Sequence, residues 1–140
     1  MWLIYALLSA FTAALVAIFG KLGLKDIDAT FATTIRAIIM AAFLISLTFL
    51  LKKISYANFS SISLKDWMLI LCSGISGALS WLFYFIALKQ GDASHVASVD
   101  RLSIAFVVLL AAIILNEKLT LMSIFGTVLM ILGSLAISQG

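Results

Sequence analysis

The chain has 140 residues, 64% of them hydrophobic and only 11% charged, and its mean hydropathy is +1.24. Water-soluble domains are about half apolar and a quarter charged, so a soluble fold is excluded; about 20 apolar residues per crossing leave room for at most about six membrane helices. Proline is absent, Cys72 is the single cysteine and the formal charge is +3, so disulfides, a thiolate metal centre and a nucleic-acid surface lack the residues they need.

Five apolar runs follow one another. The first spans residues 2–20. No lysine or arginine precedes it, and it meets Lys21 instead of a small-residue cleavage site, so it is read as a span and not as a removable signal peptide. The loop Lys21 to Asp28 offers Asp28 or Thr30 as a cap for the second run, residues 31–51, which stops at Lys52-Lys53. Ile54 to Ser63 is the longest polar stretch. Ser63-Leu64-Lys65-Asp66 resembles a capping box ahead of the third run, residues 67–88, and Gly91 suits a left-handed stop after it. The fourth run covers residues 96–115, and the turn Asn116 to Thr120 leads to the fifth, residues 121–138.

Together these runs predict an all-α polytopic membrane protein forming a single domain over residues 1–140. Lipid offers no hydrogen-bond partners, and without proline none of the five helices carries an obvious break. Gly74 and Gly77, and Gly126 and Gly133, give small faces for close helix approach. Trp2 and Trp67 sit where interface anchors belong.

Five crossings put the N-terminus, the 52–66 loop and the 116–119 loop on one side. Lys52, Lys53, Lys65 and Lys118 there face Lys21, Lys25 and Lys89 on the other, and Arg36 and Arg101 lie close to that second side. With charges so nearly balanced, the positive-inside rule does not choose an orientation. Either one orientation is set by weaker signals, or the chain inserts both ways and antiparallel copies associate.

Ionisable groups inside a membrane are costly and face a partner or a water-filled path, which singles out Lys21, Arg36, Asp100 and Arg101. Asp100 has the reach to pair with Arg36, while Arg101, about 100° further round its helix, faces another neighbour or snorkels. Two readings stand: one end of a translocation path favouring a carboxylate or phosphate, or an ion pair with two snorkelling cations that locks the bundle. In the third run Ser73, Gly77, Ser80, Trp81 and Tyr84 recur at helical spacing, which makes a face that is small, hydroxylated and then aromatic. It lines a cavity for an organic substrate, or it is ordinary packing. His95 is expected in a loop without a second histidine, so neither a metal nor another cofactor is expected, and no nucleophile has a visible base partner, which argues against an enzyme. Glu117 reads as part of the turn between the fourth and fifth helices.

The segment Leu79 to Ala97, with Asp100-Arg101-Leu102-Ser103 and Leu115-Asn116-Glu117-Lys118-Leu119-Thr120, resembles the EamA domain of the drug/metabolite transporter superfamily. Lys21-Leu22-Gly23-Leu24 and Arg36 are similar too, and the resemblance covers essentially the whole chain. It implies a five-helix unit that in many relatives occurs twice, as an inverted repeat of ten helices, so that a single copy is half of such a transporter. The architecture also resembles, more distantly, the four-helix small multidrug resistance proteins, but their first-helix acidic residue has no counterpart here.

The expected function is therefore a small-molecule transporter for a metabolite or drug-like compound, an exporter working as a homodimer, antiparallel if dual topology holds, by alternating access in a bacterial or archaeal cell membrane. Membrane lipid and a small-molecule substrate are its expected partners. Arg36, Ser73, Ser80, Trp81 and Tyr84 are the candidate substrate contacts, and Asp100, Arg101 and Lys21 the coupling or ion-pair candidates. The alternative is a non-transporting membrane subunit that assists a partner enzyme or a lipid-linked-sugar flippase.

Overall fold

The computed structural model describes residues 2–53 and 62–140; residues 54–61 of the polar stretch lie outside it. The described residues form helices α1 (Trp2–Gly23), α2 (Ala29–Leu50), α3 (Leu64–Gln90), α4 (Ala93–Asp100), α5 (Ser103–Ile114) and α6 (Leu121–Gln139), with no strand among them. Four of these, together with the stretch Ala93–Ile114 that joins α4 to α5, make five spans long and apolar enough to cross a membrane. The protein is thus an all-helical, multi-pass membrane protein.

Helix starts follow local capping chemistry. The Asp28 carboxylate accepts from the Thr30 and Phe31 N–H groups at 2.9 and 3.0 Å, which starts α2 at Ala29, two residues earlier than hydropathy suggests. Ser63 and Asp66 form the expected capping box: the Asp66 N–H donates to Ser63 Oγ, and the Ser63 N–H and hydroxyl both donate to Asp66 Oδ2. Thr120 and Ser123 exchange the same pair of bonds at the start of α6.

Helix ends depart from expectation at Gly91. No described glycine has a positive φ, and the left-handed residues are Lys52 (φ 53°) and Asn116 (φ 55°). After α2, Lys52 N–H bonds the Phe49 carbonyl and Lys53 N–H bonds Thr48, the paired bonds of a Schellman stop built without glycine. Gly91 instead turns its carbonyl to Lys21, and Asp92, extended at φ −67° and ψ 144°, re-enters the next helix. That helix begins at Ala93, so His95 lies in the first turn of α4 and not in a loop.

The fourth span is interrupted. Arg101, Leu102, Ile104 and Ala105 donate to carbonyls three residues back, at 2.9–3.2 Å, so the helix tightens into a 3₁₀ turn at Arg101-Leu102 between α4 and α5. Neither proline nor glycine marks the place, which is why the sequence reads as continuous. The four glycines expected at close helix approaches also differ: a methyl group built on Gly74, Gly77, Gly126 or Gly133 would meet nothing within 4 Å. Their missing side chains are therefore not filled by a neighbouring helix of this chain.

The chain divides into two compact units, residues 1–22 with 90–140, and residues 23–89. In the first, α4 and α5 pack on α6, and Ala17, Ser98 and Ser134 are buried. In the second, burial gathers around the α1–α2 loop and the end of α3, at Leu24, Ala29, Phe85 and Leu88. The Lys89 ammonium donates to the Ile27 carbonyl at 2.8 Å in the same place. Most other span residues are exposed, as suits helices whose apolar faces meet lipid instead of water.

The Asp28 cap carries a pH signature. Chiefly the Phe31 N–H bond, with further help from Thr30 and the Lys89 charge, holds its carboxyl below the ordinary value of 3.8. A depressed folded pKa stabilises above the unfolded value, and the stabilisation is lost as pH falls through the folded one. Asp28→Ala is expected to melt below wild type at neutral pH in detergent, with the gap closing in acid. A gap that is constant across that range would assign the loss to shape and not to charge.

Candidate functional site

Within the second unit, α2 and α3 bring together one cation and an aromatic cluster. Arg36 lies two turns into α2, about 10 Å along the axis from Ala29. Its guanidinium carbon sits 3.6 Å from the centroid of the Trp81 ring and 5.5 Å from that of Phe85. Trp81 is held in turn by edge-to-face contacts with Tyr84 (5.6 Å between centroids, 83°) and Phe85 (6.1 Å, 70°). Phe85 is buried and anchors the group, while Trp81 and Tyr84 are half-buried.

A guanidinium carbon 3.6 Å from the ring centroid is at stacking distance, too close for an N–H to stand between them, so the contact uses the face of the group and leaves its edge. Among the described residues Arg36 donates no hydrogen bond and meets no carboxylate. A lone arginine at the centre of a helix costs about 2.5–3.5 kcal/mol to insert, less toward an end. A cation–π contact returns about 0.5–2 kcal/mol. The aromatic contact thus offsets part of the charge's cost and leaves the N–H groups to other partners.

The rest of the predicted face continues along α3. Ser80 and Ser73 are exposed, on the side shared with Trp81 and Tyr84, with Gly77 between them. Neither hydroxyl bonds a backbone carbonyl among the described residues, unlike Thr33, Thr34, Ser46 and Thr48 of α2, which all bond the carbonyl four residues back. Ser80 adjoins Trp81, whereas Ser73 lies two turns away, about 12 Å along the axis. Periodicity pointed to Trp81 and Tyr84 but missed Phe85, whose only sequence signal is its place four residues after Trp81.

Lys21, Asp100 and Arg101 belong to the first unit. The Lys21 ammonium donates to the Gly91 carbonyl at 2.8 Å, tying the end of α1 to the segment entering α4. Asp100 is the last residue of α4 and Arg101 its C-cap, both exposed, so these two charges stand at the interruption of the fourth span. No group of three or more metal-ligating side chains occurs among the described residues.

The chain matches the EamA-like transporter family over residues 1–139. It belongs to that family. It is also 37% identical over 137 residues to a Sinorhizobium protein named "Uncharacterized transporter in cobO 3'region", covering 98% of this chain and 96% of the relative. No solved structure matches it. Membership in the EamA-like family makes the protein a membrane transporter in the general sense and points away from an enzyme.

For this family member the Lys21 bond separates two roles. A partly buried, charge-assisted bond of this kind contributes about 1.5–3 kcal/mol. Lys21→Met is expected to lower thermal stability in detergent by about that amount. Unchanged melting combined with lost transport would instead assign Lys21 to coupling.

Proposed function

We infer that the protein moves a small metabolite or drug-like molecule across a cell membrane, as an exporter, with two five-helix units working as a homodimer by alternating access. The observation that carries this reading is the Arg36–Trp81 stack: a cation placed inside a membrane span against half-buried aromatics, on a helix whose same side carries the exposed Ser73 and Ser80. Structural ion pairs in membranes satisfy their charges internally, whereas transport paths keep polar groups for a passing substrate. Ser73, Ser80, Trp81, Tyr84 and Arg36 are the proposed substrate contacts.

Two further features support a second unit. Ala29 at its first position is the one buried residue of α2, and Ala17 that of α1. Faces this open, with unfilled glycines on α3 and α6, suit packing against another copy, which would complete the ten-helix inverted repeat. Near-balanced loop lysines and arginines suit an antiparallel copy. The interruption beside Asp100 supplies an acid within the fourth span next to a 3₁₀ turn, where helical hydrogen bonding changes register, and coupling-ion sites in repeat-built transporters also lie at interrupted helices.

The deciding experiment uses the purified chain alone in liposomes against a panel of metabolites. Counterflow of at least one compound is the expected outcome. Activity that appears only with a second protein would instead favour the non-transporting subunit.

Asp100→Asn is expected to flatten the pH dependence of that transport while leaving protein abundance unchanged. An unaltered profile would remove Asp100 from coupling.

A further inference from the structure

The guanidinium of Arg36 has two distinct recognition surfaces. Its planar face attracts π-systems, and its edge presents N–H groups as a fork that matches the two oxygens of a carboxylate or phosphate. Trp81 takes the face at 3.6 Å. The Trp81 ring is itself braced by Tyr84 and Phe85, so the guanidinium is held against a surface built by α3 and not left to the flexible arginine stem. Along the same side of α3 the surface opens: a methyl group at Gly77, one turn before Trp81, would meet nothing within 4 Å, and Ser80, exposed on α3, makes no hydrogen bond among the described residues.

From this geometry we propose that Arg36, oriented by Trp81, is an oxyanion-recognition residue: it binds a carboxylate or phosphate group through the edge of its guanidinium, with the group's apolar body lying along the Gly77–Trp81 side of α3. The assignment deepens the transporter reading, on which it rests for its purpose, by naming the class of substrate as an organic anion. Neutral and cationic compounds lack the group that would satisfy the fork. An anionic lipid headgroup has the same chemistry as a dissolved organic anion, so both sources must be tested.

The test is binding, measured apart from transport. Trp2, Trp67 and Trp81 are the three tryptophans, so a Trp2→Phe, Trp67→Phe background leaves Trp81 as the sole reporter in neutral phosphatidylcholine nanodiscs. Titration with hexanoate is expected to shift Trp81 emission to saturation, at least ten-fold more tightly than its neutral counterpart hexanamide. Arg36→Gln should abolish the shift. Arg36→Lys, which retains the charge and serves as the variant most certain to fold, should weaken it about ten-fold because an ammonium has no fork. A second arm replaces part of the lipid with phosphatidylglycerol and adds no soluble anion; a shift there that depends on Arg36 identifies the headgroup as a source and supports the same chemistry. Equal response to hexanoate and hexanamide, full binding by Arg36→Lys, or shifts in both arms that survive Arg36→Gln would each overturn the assignment. Its failure is separable from failure of the transporter reading. Counterflow of a neutral compound that is untouched by Arg36→Gln sinks the anion site alone, whereas Arg36-dependent binding in a chain that transports nothing sinks transport alone.

Discussion

Hydrocarbon supplies no hydrogen-bond donors or acceptors, and nearly everything in this protein answers to that deficit. The backbone closes its bonds locally, so each described span is helical, and hydroxyls on α1 and α2 fold back onto carbonyls of the preceding turn. Exposed helix starts are closed by side chains of Asp28, Ser63 with Asp66, and Thr120 with Ser123. Two cations near helix ends are committed in the same way: Lys21 of α1 and Lys89 of α3 each donate to a backbone carbonyl, at Gly91 and Ile27. Arg36 differs from these two: among the described residues it meets aromatic faces and no hydrogen-bond acceptor.

Packing has a smaller part than in a soluble domain. Among the described residues of the second unit, burial is found at Leu24, Ala29, Phe85 and Leu88, beside the loop that Asp28 and Lys89 organise. In the first it comprises Ala17, Ser98 and Ser134, all small. Lipid tails are as apolar as the side chains they cover, so an exposed leucine in a span carries no penalty, and association between helices rests on close fit and polar contacts. The open glycines on α3 and α6 then mark positions that no described residue fills.

Membership in the EamA-like transporter family and the site geometry bear on function at different levels. The family establishes a multi-pass membrane transporter. The Arg36–Trp81 stack and the tightened turn at Arg101-Leu102 bear on what such a transporter would recognise and where it would couple. The two features occur in different units and in different chemical forms. One is a cation oriented by rings, the other an acid and a cation at a break in helical hydrogen bonding.

The sequence by itself determined the five spans, the all-helical class, the capping box at Ser63, the choice of Asp28 or Thr30 as the cap of the second helix, and the resemblance that family membership bears out, because hydropathy and capping act over one or two turns of chain. Arg36, Trp81 and Tyr84 were legible as candidates for the same reason: a charge in an apolar run and a polar-aromatic face at helical spacing are local patterns. Only the tertiary structure decided that Arg36 meets Trp81, that Phe85 completes the cluster, that Lys21 ends on Gly91, and that the four helix glycines are left open. Each of these depends on which helices adjoin and at what rotation, and apolar helices in lipid have no solvent-facing side to reveal it. The 3₁₀ turn at Arg101-Leu102 was illegible for a related reason: its residues keep right-handed helical dihedrals, and the shift from four-residue to three-residue bonding leaves no glycine or proline behind as a sign.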